Sequence, residues 1–380
     1  MRPDGRTETD APVIVDAGAL DLLFEALRER GYTVVGPTVR DGAIMIEELE
    51  SAASLPYGWG VETEAGRYRL RRRDDTAAFG HSAGPQSWKD VLHPVRAPLW
   101  SVDRAPDGEV TTTVAAHRGR FALFGARPCD IAAIGVLDRV LAGGAHADPV
   151  YSSRRDGTFV IAADCTEPSA TCFCVSMGGG PGAVSGFDLA MTEVVGAGQH
   201  DFLVRSGSPA GAEILGGLPS RPAGAEVVER AAGAVQRAAS EMGRAMPTGS
   251  LPDLLAAARE SSHWDDVASR CLTCGNCTMV CPTCFCTTTE DITDLTGDHA
   301  ERWRRWDSCF DLDFTFMHGG RVRDSGQSRY RQWISHKLGT WHDQFGSSGC
   351  VGCGRCIAWC PAGIDITQEA AALSALAEPS

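Results

Sequence analysis

The chain has 380 residues, 43% hydrophobic and 22% charged, enough for two or three globular domains with a substantial core. Its formal net charge of -14 excludes a general attraction to nucleic acid or to anionic membranes, both of which select basic surfaces. Fifteen cysteines are too many for an ordinary reduced core. With no apolar run of membrane-spanning length and no basic-then-apolar leader, we expect a cytoplasmic protein whose thiols hold metal rather than form disulfides.

From about 13 to 160, short apolar runs alternate with amphipathic segments. "ALDLLFEALRERG" has helical spacing and ends on Gly31, while "YTVVGPTV", "AIMIEEL" and "RFALFG" read as strands. In "RPCDIAAIGVLDRVLAGG", Asp130 is placed to cap a helix ending at Gly143, which puts Cys129 in a strand-to-helix turn. "TFVIAADC" and "HDFLVRSGS" are further strands, separated by the glycine-rich "SMGGGPGAVSG". Helical runs at "GAEVVERAAGAVQRAASEMG" and "SLPDLLAAARESS" lead to a second domain starting near Trp264. These elements predict an α+β domain over 1–204 and a helical connector over 205–263. An α-helical, ferredoxin-like dicluster domain is expected over 264–380, with a long insert at 287–349.

One internal repeat decides the chemistry of that last region. "CLTCGNCTMVCP" at 271–282 recurs in spacing as "CVGCGRCIAWCP" at 350–361. Each is C-x-x-C-x-x-C-x-x-x-C-P, in which three thiolates wrap one face of a cubane and the fourth serves the neighbouring cluster. On that rule Cys271, Cys274, Cys277 and Cys360 hold one 4Fe-4S cluster, and Cys350, Cys353, Cys356 and Cys281 hold the second. Gly275, Gly352 and Gly354 suit tight turning against sulfur, and Pro282 and Pro361 stop the loops running on into helices. Zinc favours two well-separated pairs, not four thiols packed into eleven residues twice over. The insert is rich in Trp and Arg, which suits either a water-excluding cover over the clusters or a docking face.

Seven cysteines lie outside those strings: Cys129, Cys165, Cys172, Cys174, Cys284, Cys286 and Cys309. The first four sit in loops that follow strands, so they are expected to hold a third 4Fe-4S cluster; an arrangement joining the two "TCFC" strings, or one using Cys309, is the alternative. The second "TCFC", Cys284 and Cys286, is expected to line the path between domains. The glycine-rich loop matches neither dinucleotide nor P-loop spacing. His81, His93, His117, His146 and His318 are scattered singly, as surface or satisfied histidines are. No catalytic residue set stands out, and no cofactor site beyond the clusters is expected.

The strings "GARPCDIAAIGVLDRV", "DCTEPSATCFCVSMGGGPG", "FDLAMTE", "CLTCGNCTMVCPTCFC", "WDSC" and "GCVGCGRCIAWCPAGIDI" together resemble the iron-sulfur beta subunit of soluble nickel-iron hydrogenases of the sulfhydrogenase type, itself similar to the corresponding iron-sulfur subunit of anaerobic sulfite reductase. The resemblance implies a non-catalytic electron-transfer subunit of an oxidoreductase complex. Its partners would be the small and large hydrogenase subunits together with a flavin/NAD(P)-binding subunit, or a sirohaem sulfite reductase subunit in the alternative. A self-sufficient flavin-containing iron-sulfur oxidoreductase and a zinc-bearing regulatory protein are the competing readings.

Overall fold

The computed structural model describes residues 11–116, 119–196 and 198–377; His117 lies outside the described residues. In chain order the first half contains β1 (Val13–Asp16), α1 (Leu20–Glu29), β2 (Thr33–Arg40), β3 (Ala43–Glu48), β4 (Trp59–Glu64), β5 (Arg67–Arg72), α2 (Lys89–Leu92), β6 (Arg96–Arg104) and β7 (Val110–Val114). There follow β8 (Phe121–Ala126), α3 (Pro128–Leu137), α4 (Pro149–Asp156), β9 (Thr158–Ala163), β10 (Leu189–Gly196), β11 (Gln199–Ser206), α5 (Pro209–Gly216), β12 (Arg221–Pro222) and α6 (Ala225–Ser240).

An eight-stranded sheet ordered β12-β1-β11-β10-β9-β8-β2-β3 forms the first layer. At its centre β2, β8, β9 and β10 run parallel, and antiparallel strands finish both sides. "FALFGA" and "TFVIAA" are apolar throughout because β8 and β9 are covered on both faces, and all but the first residue of each is buried. The α+β expectation holds as a mixture of sheets and helices, but the sheet centre is of the parallel, crossover-linked kind. α1 packs Leu20, Leu23, Phe24 and Leu27 onto one face, with Phe24 edge-on to Phe124 at 4.8 Å between ring centroids. It ends as its glycine suggests: Gly31 has φ +79°, and Tyr32 N–H donates to Leu27 O at 3.1 Å.

The second half contains α7 (Leu251–Ala257), α8 (His263–Arg270), α9 (Asn276–Met279), β13 (Thr287–Thr293), β14 (His299–Trp306), α10 (Gly326–Ser335), α11 (Trp341–Phe345), α12 (Arg355–Ala358) and α13 (Ile366–Ala377). Its core gathers Trp264, Val267, Tyr330, Trp333, Ile334, Leu338, Ile357, Ile366 and Leu373, and it takes in Phe173 from the first half. The insert, expected within an α-helical domain, contributes strands as well. β13 and β14 form a hairpin that joins β6 and β7 in a four-stranded sheet ordered β13-β14-β6-β7. Its turn is held by Asp294, whose carboxylate accepts the N–H groups of Gly297, Asp298 and His299. Threonine-rich "TTTEDIT" and this Asp-to-Gly turn were the strand signals in a region otherwise read through its tryptophans.

Residues 209–240 pack on the first sheet, whereas Leu255 and Ala258 belong to the second core. Truncating Phe24 to Ala is expected to cost about 3–5 kcal/mol of unfolding free energy. Val114→Ala, on an exposed strand, should stay within about 0.5 kcal/mol. Denaturant unfolding of anaerobic protein checks both.

Candidate metal centres

Three small apolar cavities collect cysteines, and each contains one complete expected set. The first is lined by Cys271, Cys274, Cys277 and Cys360, with Cys356 at its edge. The second is lined by Cys281, Cys350, Cys353 and Cys356. The third is lined by Cys129, Cys165, Cys172 and Cys174, with Cys353 at its edge. The structure therefore brings together each of the three sets expected from the sequence. The two "TCFC" strings share none of these three cavities: Cys172 and Cys174 line the third, and Cys284 and Cys286 line none of them.

Local backbone explains how each set converges. In the two long strings Gly275 and Gly354, at φ +73° and +75°, precede the single helical turns α9 and α12, and these turns carry Cys277 and Cys356 inward. Backbone N–H groups point at sulfur: Thr273 to Cys271 at 3.4 Å, Gly352 to Cys350 at 3.5 Å and Ile364 to Cys360 at 3.3 Å. The third set sits beyond the carboxyl ends of β8 and β9, where parallel strands release their loops side by side. Cys129 lies in the first turn of α3, and Asp130 accepts the Arg127 N–H there at 3.1 Å, so Asp130 caps from inside the helix rather than from its N-cap. Cys172 and Cys174 flank Phe173, which is fully buried in the second core; Cys172 N–H closes a turn onto Ser169 O at 3.0 Å, Cys174 opens a 3-10 turn, and both thiols line the cavity.

The cavities adjoin. Cys356 lines the first and the second, Cys353 the second and the third. The contact between second and third is tight: Phe173 N–H donates to Gly352 O at 2.9 Å. A Cβ on Gly352 would lie 2.5 Å from Cys174 Cα, and one on Gly354 would lie 2.3 Å from Thr171 O. Arg355, buried, stands at the same junction: it makes a 2.8 Å ion pair with Asp130, donates from Nε to Gly84 O and Gln86 O at 3.2 Å, and sets its charge beside Cys353 and Cys129.

Donor chemistry and spacing fit iron-sulfur clusters. Burial pushes the Cys172 thiol up to about 11 and those of Cys174 and Cys350 up to about 12, so these groups become thiolates when a cation takes the protons' place. A single zinc ion at about 2.3 Å per thiolate would draw its ligands to within about 4 Å of one another. Among the described residues the only three-ligand group within 4.8 Å is His263, Asp266 and Glu369, and Arg270 pairs with both of its carboxylates; no cysteine set is that compact. Tyr330 Oη and Trp333 Nε1 are buried without hydrogen-bond partners, and both residues line the first cavity. Orphaned donors facing a thiol-lined cavity suit sulfide or thiolate acceptors. Trp333 walls the second cavity too, so this tryptophan of the insert serves as cover.

Two residues that sequence reasoning passed over stand beside the second set. Lys337 is buried and its Nζ donates to Cys281 Sγ at 3.4 Å, Thr283 Oγ1 at 3.0 Å and Gly349 O at 3.1 Å. Hydrogen bonding from Cys284, the neighbouring Lys337 charge and Thr283 together hold the Cys281 thiol well below its ordinary range. Lys89, also buried, donates to Cys284 O at 3.1 Å and lies 3.6 Å from the Trp306 ring centroid. The available signal was composition: of 35 lysines and arginines, only Lys89 and Lys337 are lysines.

His146 and His318 are exposed, as scattered histidines were expected to be. His81 and His93 are buried, and burial pushes both down to about 3. His81 meets Ser82 O at 3.0 Å, whereas neither ring nitrogen of His93 has a partner; it stacks on Trp306 instead and is therefore not satisfied by hydrogen bonding.

A row of cysteine-lined apolar cavities with amides aimed at sulfur defines an iron-sulfur electron-transfer protein. Residues 270–364 match the family described as a 4Fe-4S dicluster domain. The chain is 35% identical over 252 residues to sulfhydrogenase 2 subunit beta of Pyrococcus furiosus, covering 65% of this chain and 72% of that relative. It belongs to the sulfhydrogenase beta-subunit family. No solved structure matches it. Among the described residues no helix is long and apolar enough to cross a membrane.

Replacing Lys337 by Gln removes a buried positive charge that favours the reduced, more negative state of the neighbouring centre. The midpoint potential of that centre is expected to fall by roughly 60–130 mV, the equivalent of one charged hydrogen bond. An EPR-monitored redox titration should show this shift with the centre at Cys271, Cys274 and Cys277 unmoved.

Proposed function

We propose that this chain is the electron-transfer subunit of a cytoplasmic hydrogenase complex, passing electrons along three 4Fe-4S clusters between the small and large subunits of a nickel-iron catalytic module and a flavin/NAD(P)-binding subunit. The single observation that carries this reading is the shared walls: Cys353 and Cys356 each border two cavities, so the three sets form one row. Likeness to a sulfhydrogenase beta subunit supports the hydrogenase assignment over a sirohaem sulfite reductase.

In this reading Cys271, Cys274, Cys277 and Cys360 ligate the first cluster, Cys281, Cys350, Cys353 and Cys356 the second, and Cys129, Cys165, Cys172 and Cys174 the third. The domain limits of 1–204, 205–263 and 264–380 serve as working boundaries. Each bound cluster supplies a site for one electron. The chain's own residues do the rest. Phe310, Tyr330, Trp333, Ile364 and Ile366 exclude water from the first cavity. Lys337 and Arg355 place positive charge beside the second and at its junction with the third, favouring an electron there. The row has one surface end: Cys274 is exposed, and Leu272 beside it is 65% exposed. At the other, the third set opens toward a wide groove of about 520 Å³ floored by the glycine-rich loop. These two ends are the sites for partner docking.

Anaerobic affinity purification from the native host tests the complex. Co-purifying flavin and nickel with hydrogen-dependent NAD(P)+ reduction is the expected result; sirohaem without nickel would move the chain to the sulfite reductase alternative. For the third centre, Cys172→Ser is expected to lose about four irons per chain. Unchanged iron in that variant would refute the ligand set.

A further inference from the structure

Three cysteines remain outside the row, and they also converge. The second "TCFC" also carries a packed aromatic between two thiols: Phe285 packs edge-on against Trp341 and Phe345, at 5.6 and 6.3 Å between centroids, with Cys284 and Cys286 on either side of it in the chain. There the "WDSC" loop meets them. Asp307 N–H donates to Cys286 O at 2.8 Å, which sets the backbone of Cys309, two residues on, beside the Cys286 thiol. Each thiol of this group feels another: Cys284 with Cys286, and Cys286 with Cys309. The Asp307 carboxylate acts on Cys286 as well and has no cationic partner among the described ion pairs.

Charge gives a second, independent indication. Lys89 and Lys337 are the two lysines of the chain, each only 3% exposed, and neither has a carboxylate in an ion pair among the described residues. Lys337 has the second set's Cys281 to answer it. Lys89 donates to no thiol of the row; its side chain meets the carbonyls of Met279 and Cys284 and the Trp306 ring, and the acidic groups around it are the thiols of Cys284 and Cys281 and the Asp90 carboxyl. A buried ammonium is costly unless a negative group lies near. A cluster with anionic ligands is such a group.

We propose that Cys284, Cys286 and Cys309, with the Asp307 carboxylate as the non-thiolate ligand, hold a fourth iron-sulfur centre that adjoins the second cavity through the contact between Cys284 and Cys281. The thiols do not form a compact three-ligand group of the kind a single metal ion needs, which favours a cubane over zinc. The centre lies off the row, between Lys89 of the first half and Lys337 of the second. It therefore branches from the second centre rather than extending either end.

The test counts metal on anaerobically reconstituted full-length protein. About sixteen irons per chain are expected in the wild type, falling to about twelve in Cys286→Ser/Cys309→Ser with the other centres still visible by EPR. About twelve irons in the wild type, or a variant that keeps all of its iron, overturns the proposal; so does zinc at this site. If the double variant does not fold, the wild-type count decides alone. Cys284→Ser that retains every iron and only shifts the second centre's potential would also overturn it, leaving Cys284 as a donor to Cys281. The three-centre reading fails separately, through retention of iron in Cys172→Ser.

Discussion

Everything in the row depends on one close approach of backbone to backbone. The loop at Gly352–Gly354 lies so near the Thr171–Cys174 stretch that no Cβ fits at either glycine, and Phe173 N–H is spent on Gly352 O. Phe173 itself is buried in the core of the second half although its chain neighbours belong to the first. The junction thus makes one body of two folding units, and it does so at the wall that the second and third cavities share. A side chain at either glycine would separate the cavities before it disturbed any cysteine.

Around this contact the molecule accepts buried charge that a simple hydrophobic core would refuse. Arg355 with Asp130, Lys337 and Lys89 are all nearly inaccessible, and each lies against thiols. Removing ions from water costs several kcal/mol each unless partners restore it. Arginine is used almost everywhere else, as at Arg302 with Asp291 or Arg96 over Trp303, where a planar fork suits carboxylates and rings. The compact ammonium is kept for the two places where a cation must fit among sulfur and carbonyl groups in little space.

Much of the site was legible in the sequence because ligand spacing is local chemistry. A loop that wraps a cubane must bring Cys271, Cys274 and Cys277 to one face, and the repeat at Cys350 carries the same demand. The grouping of Cys129, Cys165, Cys172 and Cys174 could be anticipated because each lies in a turn or loop that follows a strand signal, where side chains can converge; that the strands are parallel and adjacent could not. What could not be read was non-local. The pairing of β14 with β6 joins residues about two hundred positions apart, and nothing in "HAERWRRW" names its partner strand. Trp333 as a wall common to two cavities, and Lys89 reaching Cys284 from the first half, depend on the assembled fold. The lysines left a trace only as a scarcity in composition, which acquires meaning once their positions are known.

Of the fifteen cysteines, Cys274 alone is exposed, Cys174 and Cys281 are buried, and the other twelve are part-buried. An iron-sulfur row with one thin-walled end has a graded sensitivity to its surroundings. Dioxygen, chelators and incoming iron meet the most exposed thiol first, so damage and repair begin at the terminal position, ahead of the part-buried positions behind it. Whatever docks over Leu272 and Cys274 closes that doorway, and assembly with a partner then doubles as protection.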